Sequence, residues 1–242
     1  MKILEGLAHR VARALGTLQL RSELQGFLFD TVKSLVAAVD AKDPYTRGHS
    51  ERVHYLAVLA GTRMDLDPEQ LQSLSWAAIL HDIGKISIPR KILCKPSGLT
   101  QKEQEIIRTH PERGCAVIRP VPQFANALAG IRHHHEQFDG SGYPDELARF
   151  EIPLSARIIS VADAFDAITS DRPYFPAHSW QEALQIMDKD TGHFDPNILP
   201  VFREIVVGEI ASGSLAFGAL HHIARDQNAP GNRDDLRLRE AA

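Results

Sequence analysis

The segment 67-DPEQLQSLSWAAILHDIGK-85 decides how the chain is read. Asp67 and Pro68 form a helix start, with Asp67 as N-cap and Pro68 in the first turn, where a missing N–H costs no hydrogen bond. Leu71, Leu74 and Ala78 then recur at helical spacing and lead directly into His81-Asp82. An imidazole and a carboxylate at the end of an apolar helix are costly to bury unless they are paired or ligated. By itself a His-Asp pair is more often structural than functional, so its meaning depends on the rest of the chain.

On the N-terminal side, Leu28, Val32, Leu35 and Val39 mark a helix with one buried stripe. Residues 1–26 are also amphipathic through Leu4, Leu7, Val11, Leu15 and Leu18, although Gly16 and Gly26 weaken that pattern. Segment 1–27 is therefore expected to be a linker, a dimer contact or a helix lying on the core. Asp43-Pro44 signals a turn, and Thr46 or Ser50 is the expected cap of a helix carrying Val53, Leu56, Ala57 and Ala60.

On the C-terminal side, Pro89, Pro96 and Gly98 mark a loop. Thr100 with Glu103 is a capping box for a helix expected to close at His110. Helical patterns return at 114–119, 124–135, 153–169 and 179–188, and Asp195-Pro196 starts another helix. DGSGYPDEL (139–147) is a loop. No strand alternation is present, so the fold class is all-α. Residues 28–207 are expected to form one domain. Beyond them the chain turns to Gly, Ser, Ala and then charged residues, so 208–242 is expected to be a weakly ordered tail.

Composition sets outer limits. The chain has 242 residues, 43% of them hydrophobic, enough for a sizeable core. Its net charge of −4 argues against binding to a nucleic-acid duplex, which requires phosphate neutralisation. No apolar run is long enough to span a membrane. The first residues are a poor secretory signal, and two cysteines, Cys94 and Cys115, cannot make a disulfide framework, so the cytoplasm is the expected compartment. The unusual number is 12 His, seven of them between residues 49 and 135.

Those histidines occupy chemically suggestive places. His49 opens a helix, His110 is read as closing one, and His134-His135 precede the acidic Gly-rich loop. Asp163 sits among Ile158, Ile159, Val161, Ala162 and Ala164, where a carboxylate needs a partner. With His81 and Asp82 this mixed donor set is too large for one tetrahedral zinc. It suits two ions of the iron, manganese or zinc type with positions left open for water and substrate.

The motifs HSERV (49–53), HDIGKISIP (81–89), HPERG (110–114), HHEQFDGSGYP (134–144) and ARIISVADAFDAITSDRPY (156–174) together resemble the HD-GYP domain family, in order and spacing, over roughly residues 28–205. The resemblance implies an HD-type α-helical bundle that hydrolyses cyclic di-GMP to pGpG, and often on to GMP. Carried over by position, the implied metal ligands are His49, His81, Asp82, His110, His134, His135 and Asp163, with Asp82 bridging. Lys85 matches the family lysine near the scissile phosphate, and Arg172 a phosphate-binding arginine. Gly142, Tyr143 and Pro144 form the named loop at the rim of the site. The implied cofactors are two divalent ions, iron or manganese first, with zinc, nickel or cobalt as alternatives. Beside the cyclic dinucleotide, the implied partners are a diguanylate cyclase or other signalling protein, and a second copy through the N-terminal helix.

The chain also departs from the family pattern. Tyr45 stands where some members carry a third-ion glutamate, so two ions are expected. Phe175 replaces a basic residue after RPY, which leaves open another cyclic dinucleotide such as cyclic GMP-AMP. Gln137-Phe138 replaces a basic-aromatic pair. A non-catalytic binding module is the alternative from a different class, although all seven ligand positions are intact. Glu136 and Asp139 are expected to orient ligand histidines, and Asp166 to support Asp163 or Lys85. Asp40 and Asp43 are read as caps or substrate contacts, His54 as packing, and His133 and His221-His222 as surface. Residues 1–27 are too few for a sensor domain, so regulation is expected from a partner, from oligomerisation or from sequence outside this chain.

Overall fold

The computed structural model describes residues 2–42, 48–95, 97–171 and 176–212. Among them are ten α-helices and no strand: α1 (Lys2–Asp40), α2 (His49–Arg63), α3 (Pro68–Leu80), α4 (Arg90–Leu93), α5 (Gln101–Ile107), α6 (His110–Ile118), α7 (Leu128–His133), α8 (Leu154–Thr169), α9 (Trp180–Lys189) and α10 (Ile198–Ser212). Short 3-10 turns cover Ile83–Ser87, Pro122–Ala127 and Arg149–Glu151. Helices α2, α3, α7 and α8 pack around a core that includes Leu56, Leu74, Ile79, Ile131, Ile158, Ile159 and Phe165. Met187 of α9 and Phe202 of α10 close it.

The helix starts follow local chemistry. Asp67 accepts the N–H groups of Glu69 and Gln70, both at 2.9 Å. Thr100 with Glu103 and Ser179 with Glu182 form reciprocal capping boxes. Three expectations need correction. Ser50 does not cap α2: Gly48, at φ 69°, takes the N-cap position. The Ser50 hydroxyl instead donates to Asp40 Oδ1 at 2.9 Å and ties α2 to the end of α1, so Asp40 links two helices. His110 opens α6 rather than closing α5, because Pro111 has no N–H to donate and is tolerated only in a first turn. Residues 9–26 do not lie on the core: α1 runs unbroken through Gly16 and Gly26, with Val11, Leu15, Leu18, Leu20, Leu24 and Phe27 all at least half exposed. Tyr45, Asp43 and Thr46, Arg172 and Phe175, and His221-His222 lie outside the described residues. No helix among the described residues is long and apolar enough to cross a membrane.

Gly84 sits where the turn after His81-Asp82 meets α6. A Cβ there would lie 1.9 Å from the His110 carbonyl oxygen and 2.6 Å from the Gly114 nitrogen. Backbone on both sides leaves nothing to rotate away. Gly84→Ala is expected to destabilise the fold by about 3 kcal/mol or more; a chemical-denaturation midpoint equal to that of the parent protein would refute this.

His54 is packed beside Phe29, as expected for a structural residue, with its Nε2 2.8 Å from Ser75 Oγ. Burial, reinforced by Lys33, lowers its pKa to about 4. The folded state holds it neutral while the unfolded state protonates near its ordinary value. Its contribution is therefore present above that value and is lost as pH falls toward 4. Denaturant titrations should show His54→Gln losing about 2 kcal/mol less stability than the parent between about pH 7.5 and about pH 5.

Candidate metal centre

Four histidines owe their orientation to local hydrogen bonds. His81 at the end of α3 donates Nδ1–H to the Ala78 carbonyl at 2.8 Å. His110 does the same to Ile107, and His134, just past α7, to Ile131, each at 2.8 Å. A carbonyl can only accept, so each of these rings carries its proton on Nδ1 and presents a bare Nε2. His49 at the start of α2 uses a side chain instead: its Nδ1 lies 2.7 Å from Asp166 Oδ2.

The seven carried-over positions come together in space. His81, Asp82, His110, His134, His135 and His49 are all buried, and Asp163 is nearly so. Their donor atoms form three overlapping sets: His49, His81 and Asp163; His81, Asp82 and His134; and His110, His134 and His135. Within each set the ligand atoms lie within 4.8 Å of one another. Asp82 lies between the groups. Its Oδ1 is 3.3 Å from His110 Nε2, while Oδ2 is 3.6 Å from both His49 Nε2 and His81 Nε2. One carboxylate thus serves both ends of the cluster.

The donor chemistry fits cations. His81 Nε2 is buried with no hydrogen-bond partner among the described residues. His110 Nε2 and His134 Nε2 face each other at 3.2 Å, although both have lone pairs rather than protons there. Such contacts are unfavourable without a positive charge between them, and a divalent ion supplies it.

The electrostatics divide the cluster in two. Burial lowers the pKa of His110 to about 4 and holds His134 and His135 well below the usual imidazole value, so these rings are neutral and ligand-ready. Burial acts the same way on His49, but Asp163 and Asp166 outweigh it and push that ring up to about 10. Burial alone would raise Asp82 and Asp163; Lys85 and His81 on Asp82, and His49 on Asp163, keep both well below the carboxylate range.

The rim comes from two segments. Lys85, in the 3-10 turn, places its Nζ 2.6 Å from Asp82 Oδ2. Tyr143 stacks on His135 with centroids 4.8 Å apart, and the Arg108 guanidinium stands 5.1 Å from the Tyr143 ring centre. The Tyr143 hydroxyl is buried without a hydrogen-bond partner among the described residues. Gly142 presses against Glu136 and Gln137, where a Cβ would come within 2.3 Å of the Gln137 nitrogen. Pro144 follows through a cis peptide bond.

The supporting carboxylates differ from expectation. Asp166 supports His49, not Asp163 or Lys85, and Arg52 donates through Nε and Nη2 to both of its oxygens, at 2.5 and 2.9 Å. Glu136 orients no histidine; it accepts the N–H groups of Asp145 at 2.7 Å and Leu147 at 3.1 Å and so shapes the rim loop. Asp139 likewise binds Ser141 within its own loop. His133 is pinned to Asp145 at 2.9 Å rather than free on the surface. Sequence reasoning passed over Arg52. Its one signal was a position three residues after His49, which puts both on one helix face.

The family model described as HD domain matches residues 33–198. The chain belongs to the HD domain family, and its motifs and relatives place it in the HD-GYP branch. A cyclic di-GMP phosphodiesterase of Pseudomonas aeruginosa is 39% identical over 165 residues, which are 68% of this chain and 40% of that protein. A 3'3'-cGAMP-specific phosphodiesterase of Vibrio cholerae is 38% identical over 152 residues, 63% of this chain and 33% of that protein. The chain thus spans less than half the length of either. Among solved structures, a cyclic GMP-AMP-specific phosphodiesterase of V. cholerae aligns with a TM-score of 0.63 at 24% identity, covering 80% of this chain and 52% of the other.

If Asp82 serves ions at both ends of the cluster, Asp82→Ala should lower the bound transition metal from about two ions per chain to fewer than one. Helical content should be retained. Elemental analysis after desalting measures this, and unchanged metal content would remove Asp82 from the bridge.

Proposed function

We propose that the chain is the hydrolytic domain of a cyclic di-GMP phosphodiesterase, cutting the substrate to pGpG and onward to GMP. The observation that carries this reading is the position of Asp82 between two groups of inward-facing imidazoles, of which His110, His134 and His135 are neutral, with Lys85 at its edge. His49, His81 and Asp163 would hold one divalent ion, His110, His134 and His135 a second, and Asp82 would bridge them. Iron or manganese suits these donors best, with zinc, nickel or cobalt as alternatives. Two such ions, when bound, polarise a phosphodiester and acidify a water toward neutral pH.

This chain's own residues account for the rest of the chemistry. Asp166 and the three backbone carbonyls fix the tautomers, so no ring must turn before it can ligate. Lys85 places an ammonium where charge gathers on the phosphoryl oxygens, and its hydrogen bond to Asp82 keeps it there. Arg172 is a phosphate contact by its motif position. Gly142, Tyr143 and Pro144 wall one side of the pocket, and the Tyr143 ring excludes water from His135. Overall, water adds across the P–O3′ bond: its oxygen joins phosphorus and a proton ends on the leaving 3′-oxygen.

The relative specific for 3'3'-cGAMP, with Phe175 in place of a basic residue, supports cyclic GMP-AMP as the second reading. Outside the pocket, the outward residues Leu20, Leu24 and Phe27 of α1, each about two-thirds exposed, favour pairing with a second copy. Two free cysteines fit a reducing cytoplasm, where a diguanylate cyclase would be a natural partner.

The test is anaerobic loading with iron or manganese followed by chromatography of reactions with cyclic di-GMP and 3′3′-cGAMP side by side. Linear pGpG is the expected product. Turnover of cGAMP alone would move the substrate assignment, and binding without product from either would make the chain a receptor.

A further inference from the structure

Lys42 lies just past the end of α1 and outside every motif used so far. Its Nζ is 2.8 Å from the Ile86 carbonyl oxygen, 2.5 Å from that of Ile88 and 3.3 Å from that of Lys85. An ammonium has three N–H groups, and here all three are spent on one stretch of backbone. That stretch is the C-terminal end of the 3-10 turn Ile83–Ser87, where carbonyl oxygens are left over and a cation is favoured. The same turn follows His81-Asp82 directly and carries Lys85. Within it, Lys85 N–H donates to the Asp82 carbonyl at 2.9 Å and Ile88 N–H to the Lys85 carbonyl at 3.0 Å.

The neighbouring attachment points the same way. Two residues earlier, Asp40 accepts the Ser50 hydroxyl at 2.9 Å and the Ser50 N–H at 3.3 Å, beside His49. The Lys42 carbonyl in turn faces Cys94 Sγ at 3.5 Å. Asp40 at the end of α1 and Lys42 just past it therefore grip two segments that deliver donors to the cluster, the first turn of α2 and the turn after α3. Ile83, Gly84 and Ile88 on either side are buried, but Lys85, Ile86 and Ser87 between them are only partly buried or exposed, so the middle of the turn has little apolar packing of its own.

We propose that Lys42 is a positioning residue for the hydrolytic site, its ammonium clamping the turn that sets where Asp82 and Lys85 stand. Lys42 touches neither substrate nor ion; it acts through the Lys85, Ile86 and Ile88 carbonyls. This rests on the hydrolase reading above, because it is the placement of Lys85 against a phosphate that gives the clamp its effect. Removing it frees the turn, and displacements of about an ångström at reacting groups cost up to about a hundredfold in rate.

Two variants of the full chain test it. Lys42→Met keeps the length of the stem and removes charge and donors. Lys42→Arg keeps the charge but has a planar fork that cannot converge on three carbonyls. In Lys42→Met, kcat on cyclic di-GMP is expected to fall about tenfold or more, with KM within about threefold and bound metal per chain unchanged; Lys42→Arg should recover part of kcat. Hydrogen exchange supplies a readout independent of activity. The Lys85 and Ile88 amides should lose protection in Lys42→Met, while amides in α2, α3 and α8 keep theirs. If the wild-type protein turns over no cyclic dinucleotide, the hydrolase reading fails and the exchange result still decides whether the clamp exists. Wild-type kcat and wild-type exchange in Lys42→Met would overturn the proposal. So would a fall in kcat accompanied by exchange rising across α2, α3 and α8, which would make Lys42 a general stabiliser.

Discussion

His110 and His134 aim Nε2 atoms at one another across 3.2 Å, and each has already committed its ring proton to a backbone carbonyl. Two lone pairs at that separation repel, in surroundings where water cannot intervene. Nearby, His81 Nε2 is buried without a partner among the described residues. An apolar core does not tolerate this arrangement for its own sake. It makes physical sense as a cage whose stability is completed by positive charge, and the rest of the molecule holds that cage in shape.

The cage is assembled from helix ends. His81 and His134 terminate α3 and α7, while His49 and His110 begin α2 and α6. Helix ends can converge on a point in a way helix flanks cannot, and their backbone carbonyls are available to fix a ring. Three of the four rings use a carbonyl three residues earlier. His49 is steadied by a side chain instead: Asp166 of α8 takes that role, with Arg52 behind it. That substitution has an electrostatic consequence: His49 is held between two carboxylates and favours its proton, whereas the other site histidines with resolved shifts are neutral by burial.

Close approach of backbone is the second constraint. The turn after His81-Asp82 can meet α6 only because Gly84 lacks a side chain, and the rim loop can fold over His135 only because Gly142 does. These glycines are needed for space, not for an unusual φ angle. Gly84 brings Asp82 within reach of His110, which comes from a helix that starts 28 residues later in the chain and whose Arg113 also donates to Ser87 of that turn at 3.3 Å.

Much of this was legible in the linear chain. Apolar spacing and capping residues gave all-α character and most helix starts, because those signals act within one or two turns. The seven His and Asp side chains that cluster in space were named by motif order, and Asp163 stood out as a carboxylate in an apolar helix. Where the reading went astray, the missing information was a partner distant in sequence. Ser50 looked like a cap until Asp40 was beside it, Glu136 looked like a histidine support until the amides of Asp145 and Leu147 folded onto it, and Asp166 was assigned to the wrong neighbour. Lys42 and Arg52 carried almost no local signal at all. Residue chemistry and short-range periodicity thus determined which groups could bind metal and what kind of elements would carry them. Which lone pairs face one another, which carboxylate steadies which ring, and which backbone receives a lysine's protons were decided only by packing, because those distances are set between segments that the order of residues does not place together.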